Sequence, residues 1–343
     1  MKRYYYMDVL NILATFAVIL LHTSEYAFSN HISDSHWVLA VIIQVTFIWS
    51  VPIFFMLSGA NLLDYRERYD TKTFFEKRLH RILLPFVVWT VVWYLLNPII
   101  WQTTFNYNLG KFIDGVMHNN IQPIFWFFYF IIGFYISVPL ISKITVRGNE
   151  KLSLYLLALN CLFVNIIGYY YMIVNQPNTT FADGIQVGTV GSVGFFVVGW
   201  YLNHHHFNTL IRRTLYGVSI ISLLVMIGLT IYLSAKKGVF QRNVYSIWGI
   251  FGFTLSIGVF EFFKENLYSW QPSGHSKKLL EQLSGASLGV YVIHQFIINI
   301  FETRFNIGNM SYFHIVILPF IVWVLSMGIV LLLQKIPFLR KIV

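Results

Sequence analysis

The chain has 343 residues, of which 57% are hydrophobic and only 11% charged, with a formal net charge of +10. A water-soluble protein of this length needs roughly a quarter of its residues charged to cover its surface, so a globule wetted on all sides is excluded. The basic excess is not a nucleic-acid footprint, because Lys and Arg fall in short strips between apolar runs and not on one solvated face.

Ten apolar runs follow one another, at about 5–26, 37–62, 82–101, 123–142, 152–173, 186–203, 211–233, 245–263, 285–304 and 312–334. Each has the roughly 20 mostly apolar residues that a spanning helix needs, since unpaired backbone groups are not tolerated in hydrocarbon. The first run is too long for a cleaved signal and lacks a small-residue cleavage site, so it is expected to stay as the first span. The sixth is rich in glycine (Gly188, Gly191, Gly194, Gly199), as expected where membrane helices approach closely. The expected fold is therefore all-α: one polytopic membrane helix bundle over 1–343, with about ten transmembrane helices.

Loop charges set the orientation. With the N-terminus inside, 19 of the 24 Lys and Arg residues face the cytoplasm, and Lys111, Lys236, Lys237, Arg242 and Arg304 face out. That bias predicts an N-in/C-in topology, which an even number of spans requires. Cys161 is the single cysteine and excludes an intrachain disulfide. Aromatic residues make up 18% of the chain, more than interfacial belts use, so many are expected between helices or around a cavity.

Polar groups inside spans are costly and mark functional positions. In the first span Asp8, Asn11, Thr15 and His22 fall within an arc of about 60° at 100° per residue, with Glu25 about 40° further round. Such a stripe faces a bundle interior or a watery cavity. His22 is either polar glue between helices or a general base, because imidazole titrates near neutral pH. Glu25, one turn on, either orients that ring or is an ordinary solvated helix end. Ahead of the third span, Arg78 and Arg81 are three residues apart and share a helix face, with Lys77 adjacent. They are either ordinary basic loop residues or a fork for phosphate oxygens. The ninth span carries Gly285 and Gly289 as a small-xxx-small packing face, then Tyr291 and His294. His204, His205 and His206 are consecutive, so they point around a helix and not at one metal centre. No metal site is expected, and no P-loop, serine-hydrolase elbow or dinucleotide fingerprint is present.

The order of motifs resembles the membrane acyltransferase 3 family, in particular its short single-domain surface-polysaccharide O-acetyltransferases, the enterobacterial common antigen branch. The resemblance runs along almost the whole chain: Asp8-Val9-Leu10 leading to Leu20-Leu21-His22; Val51-Pro52-Ile53-Phe54-Phe55-Met56-Leu57-Ser58-Gly59; Arg78-Leu79-His80-Arg81 before Pro85; Phe125-Trp126-Phe127 with Gly133-Phe134-Tyr135 and Pro139; and Gly289-Val290-Tyr291-Val292-Ile293-His294. Where many members carry Arg three residues after the first Asp, this chain has Asn11. The resemblance implies an acyl-CoA donor, most often acetyl-CoA, and a hydroxyl acceptor on an envelope glycan or a lipid-linked sugar, in a bacterial plasma membrane.

On that basis His22, Glu25 and Asp8 are the expected catalytic residues, and Arg78, Arg81 and Lys77 the expected CoA-phosphate contacts. Asn11, Ser24, Trp126, Tyr291 and His294 are further candidates, and Glu25, Ser24, His31, Asp34 and His36 are candidate acceptor contacts. Direct transfer and an acyl-histidine intermediate both remain open. The competing class is a transporter or flippase of a glycan or lipid-linked precursor, although no paired broken helices or pseudo-repeat stand out. A membrane-bound O-acyltransferase of the unrelated larger family also uses a buried His but fits the motif order less well.

Overall fold

The computed structural model of the chain describes residues 3–29, 32, 34–104, 107–174, 191–305 and 307–343. Helices make up most of it, because in an apolar surrounding the i→i−4 ladder is the way to pair every backbone N–H and C=O within one segment. Among the described residues there is no strand, only an isolated bridge between Val146 and Asn149. Gly188 and Lys2, and the first residues of the sixth expected span, lie outside the described residues.

The helices are α1 (Tyr5–Thr23), α2 (Ser35–Phe47), α3 (Ser50–Leu62), α4 (Thr71–Ile100), α5 (Leu109–Met117), α6 (Trp126–Ile144) and α7 (Lys151–Val174). They continue as α8 (Gly191–His204), α9 (Thr209–Lys237), α10 (Ile250–Leu267), α11 (Gly274–Gly285), α12 (Ser287–Arg304) and α13 (Leu318–Leu333). Asp34 and Asp70 cap α2 and α4, accepting from the amides of His36 at 3.0 Å and Thr73 at 2.9 Å. α9 ends where Gly238 turns into the left-handed region at φ +68°, which costs a residue without Cβ little.

Seven of these helical stretches, α2 and α3 counting as one, are long and apolar enough to cross a membrane, or eight if the α11–α12 pair, bent by 59°, is one span. Of the ten expected, the two that fall short are α8, with 14 described residues, and α10, whose 18 residues include Glu261, Lys264 and Glu265. α8 is short by length; in α10 the three charges are the reason, Glu261 and Lys264 being fully buried and paired at 2.8 Å inside the protein, a place that hydropathy does not read.

α1 is the hub, touching α2, α3, α10, α11, α12 and α13. Its polar stripe therefore faces protein, as its sequence requires. α3 and α8 pack backbone to backbone. A Cβ on Gly59 would lie 1.8 Å from the Phe196 carbonyl oxygen, and one on Gly199 would lie 2.1 Å from that of Met56. Gly199, and Gly194 against Asn160, are thus contact residues of the sixth run. Gly289 likewise packs on Val330 of α13, whereas Gly285 has open space beside it and marks the bend between α11 and α12. Trp37, Trp93 and Trp200 are fully buried, so much of the aromatic excess is interhelical packing.

Candidate active site

His22 occupies the last turn of α1 with its side chain 21% exposed. The chain then tightens into a 3₁₀ turn, Glu25–Phe28, which folds the Glu25 carboxylate back so that an oxygen lies 2.8 Å from His22 Nδ1. A carboxylate only accepts, so Nδ1 carries a hydrogen, which in the neutral ring leaves the lone pair on Nε2. His294 stands beside it, fully buried, with ring centroids 5.2 Å apart. His294 donates from Nδ1 to the Tyr291 carbonyl at 2.7 Å, and its Nε2 is a buried acceptor without a partner.

The end of α1 is held from several sides. Ser24, fully buried, donates its hydroxyl to the Leu20 carbonyl at 2.6 Å and accepts from the Gln44 amide at 3.1 Å. Gln44 in turn accepts from the Tyr245 hydroxyl at 2.6 Å. His314, also buried, donates from Nδ1 to the Thr23 carbonyl at 2.8 Å, with Nε2 3.1 Å from Glu302. Ser24 is therefore spent on helix termination and cannot serve as an acceptor contact. Gln44, Tyr245, His314 and Glu302 were not singled out from sequence; Gln44 carried a usable signal, being an amide inside an apolar run.

A cavity of about 1020 Å³ joins His22 to Arg78 and Arg81. Its walls are aromatic, with Phe54, Trp126, Phe127, Tyr135 and Tyr291 among them, and its polar end holds Arg3, Arg68, Arg147 and His204. Tyr291 is anchored by donating its hydroxyl to the Ile124 carbonyl. Arg78 reaches the Tyr69 hydroxyl at 3.4 Å, and its Nε is buried without an acceptor. A buried guanidinium N–H left unpaired is expensive, and an anionic oxygen in the cavity relieves it. Lys77 does not line the cavity; its ammonium lies over the Tyr69 ring, 4.4 Å from the centroid.

Asp8 is 14 residues from His22, about 21 Å along α1, and pairs in bidentate fashion with Arg3 at 2.7 and 2.9 Å. Arg3 thus supplies the guanidinium that Asn11 does not, and Asp8 sits at the far end of the cavity from the imidazole. Asn11 donates to the Ser284 carbonyl and to the Ser287 hydroxyl at 2.9 and 3.0 Å, tying α1 to the α11–α12 bend. The three consecutive histidines point at three different carboxylates: His204 at Asp64 (2.9 Å), His205 at Glu150 (3.8 Å) and His206 at Glu265 (2.8 Å). Among the described residues no cluster is placed to hold a metal ion. Asp34 pairs with His36 at 2.7 Å, and that hydrogen bond holds its carboxyl down to about 2. His31 lies outside the described residues.

Comparison with curated proteins and with solved structures gives no match. A family model does match: the acyltransferase domain of the acyltransferase 3 family aligns with residues 4–334, nearly the whole chain. That span runs from the foot of α1 to the end of α13 and includes both the imidazole pair and the arginine pair. The chain belongs to the acyltransferase 3 family and is a membrane acyltransferase.

Proposed function

We propose that the chain is an O-acetyltransferase of the plasma membrane, moving an acetyl group from cytoplasmic acetyl-CoA to a hydroxyl of an envelope glycan or its lipid-linked precursor. In this reading ten helices span the membrane with both ends inside; α8 and α10, shielded by their neighbours, make up the number. The observation that carries it is the single cavity shared by His22, Arg78 and Arg81.

Acetyl-CoA would bring two things to that cavity: phosphates and a thioester on a thin arm. Arg78 and Arg81 hold the phosphates, with the unpaired Arg78 Nε as one donor. The aromatic wall accepts the arm and keeps water away from the thioester. Nε2 of His22 takes the proton of the sugar hydroxyl as that oxygen attacks the thioester carbonyl carbon. The C–S bond then breaks, and the proton passes from Nε2 to the departing sulfur. Glu25 holds Nδ1–H throughout and offsets the positive charge while the ring carries both protons. His294 borders the reacting ring and Trp126 and Tyr291 shape the channel; Asp8, through Arg3, organises the donor end.

The test is acetyl transfer by purified protein in nanodiscs. His22→Ala abolishes transfer while acetyl-CoA still raises the melting temperature, and Arg78→Ala weakens that thermal shift. Near wild-type transfer by His22→Ala ends the catalytic assignment. Glycan crossing proteoliposomes with no donor consumed would make the chain a transporter instead.

A further inference from the structure

A second hollow, of about 430 Å³, lies at the far end of α4, between Tyr94, Asn97 and Trp101 and the polar side of α5, Lys111 and Asp114. Trp101 is 23 residues beyond Arg78, about 34 Å along the axis of α4, so the hollow opens at the face opposite the arginines. Two hydrogen bonds place it beside the main cavity. Asn97 donates to the Ile121 carbonyl at 2.8 Å, and Tyr291 donates to the Ile124 carbonyl. Ile121 lines the hollow and Ile124 lines the cavity, so the segment 121–124 is a wall common to both.

α5 explains why a polar hollow sits there. Leu109, Ile113 and Met117 recur every four residues and are exposed, whereas Lys111 and Asp114 lie on the opposite arc. A short helix with one exposed apolar stripe rests on a lipid surface with its polar side turned away. The lining then selects the ligand. The half-exposed indole of Trp101 offers a flat apolar face to the C–H face of a pyranose. Asn97, Lys111 and Asp114 offer donors and acceptors to its hydroxyls. Asp114 pairs with His118 at 3.0 Å and, like Lys111, is open to solvent, so a purely apolar ligand would cost these groups water contacts without replacing them, and an anion would meet Asp114.

Resting on the O-acetyltransferase reading, we infer that this hollow is a subsite for a sugar next to the one that receives the acetyl group. The acceptor is then an oligosaccharide or polymer lying along the membrane surface, and not a single sugar or a small metabolite.

The experiment uses the full chain in nanodiscs, labelled acetyl-CoA, and the envelope glycan fraction of the host, either intact or hydrolysed to monosaccharides. Wild type uses the intact glycan at much lower KM. Trp101→Ala raises that KM about tenfold, leaves kcat and the KM for acetyl-CoA unchanged, and has no effect on transfer to monosaccharides. Trp101→Tyr, which keeps a flat ring, recovers most of the affinity. Asp114→Asn gives an independent rise of about threefold. An unchanged KM for intact glycan in Trp101→Ala and Asp114→Asn overturns the subsite and leaves Trp101 as an interfacial anchor. Equal use of monosaccharides by wild type overturns it as well. Wild-type protein that acetylates neither acceptor defeats the O-acetyltransferase reading itself, and the subsite falls with it.

Discussion

Glu25→Gln isolates one charge. Glutamine keeps an oxygen for His22 Nδ1–H, so the ring tautomer survives while the negative charge is lost. With charge centres about 4 Å apart, the pair is worth about 4 kcal/mol at the effective dielectric of a protein surface and about 1 kcal/mol in bulk water. The Glu25 side chain is 50% exposed and that of His22 is 21% exposed, which places the loss near the lower end, at about 1–2 kcal/mol. In the proposed mechanism the ring gains its second proton in the transfer step, so that loss falls on kcat, about five- to thirtyfold. The KM for acetyl-CoA should not move, since the arginines are elsewhere. Glu25→Ala, which loses the acceptor as well as the charge, should be slower still. Steady-state acetyl transfer with kcat and KM resolved separately is the assay. A kcat for Glu25→Gln within twofold of wild type would refute the argument that this carboxylate offsets charge on the imidazole.

At the donor end, Arg78→Lys should raise the KM for acetyl-CoA about tenfold, because an ammonium cannot reproduce the two-pronged fork. Lys77→Ala should leave that KM within about twofold, because this side chain sits over Tyr69 and outside the cavity; isothermal titration with CoA separates the two. Gly59→Ala and Gly199→Ala each force backbone against backbone and should cost about 1–3 kcal/mol, read as a lower melting temperature in detergent; an unchanged melting temperature would mean that α3 and α8 do not touch. Asp34 gives a pH signature. Its folded carboxyl sits at about 2 against an ordinary 3.8, so its stabilisation is present above the ordinary value and is lost as pH falls through about 2. The melting-temperature gap between wild type and Asp34→Ala should therefore shrink between about pH 4 and pH 2; a gap independent of pH over that range would contradict the His36 pairing.

The helical class, the membrane surroundings and the interior face of α1 were legible in the chain, because a lipid solvent leaves few ways to satisfy a backbone and makes every buried polar group conspicuous. His22 stood out for the same reason, as a costly group inside a span, whereas Arg78 and Arg81 stood out only by their spacing; the fold adds that all three line one cavity. Gly199 in the sixth run foretold close packing, and the fold supplies its partner, α3.

Other features depended on the fold. The partner of Asp8 turned out to be Arg3, five residues earlier and outside the helix, and no helical periodicity predicts that pairing. Ser24 and Lys77 looked like site residues because they neighbour His22 and Arg78 in sequence; side-chain direction took one into helix termination and the other onto a tyrosine ring. Gln44, Tyr245, His314 and the His22–His294 pair come from segments up to about 300 residues apart. Local chain chemistry decides which segments enter a bilayer and which residues are too expensive to be idle there. Which of those residues meet is decided by how the helices pack, and only the three-dimensional arrangement makes one cavity out of an imidazole on α1 and two guanidinium groups on α4.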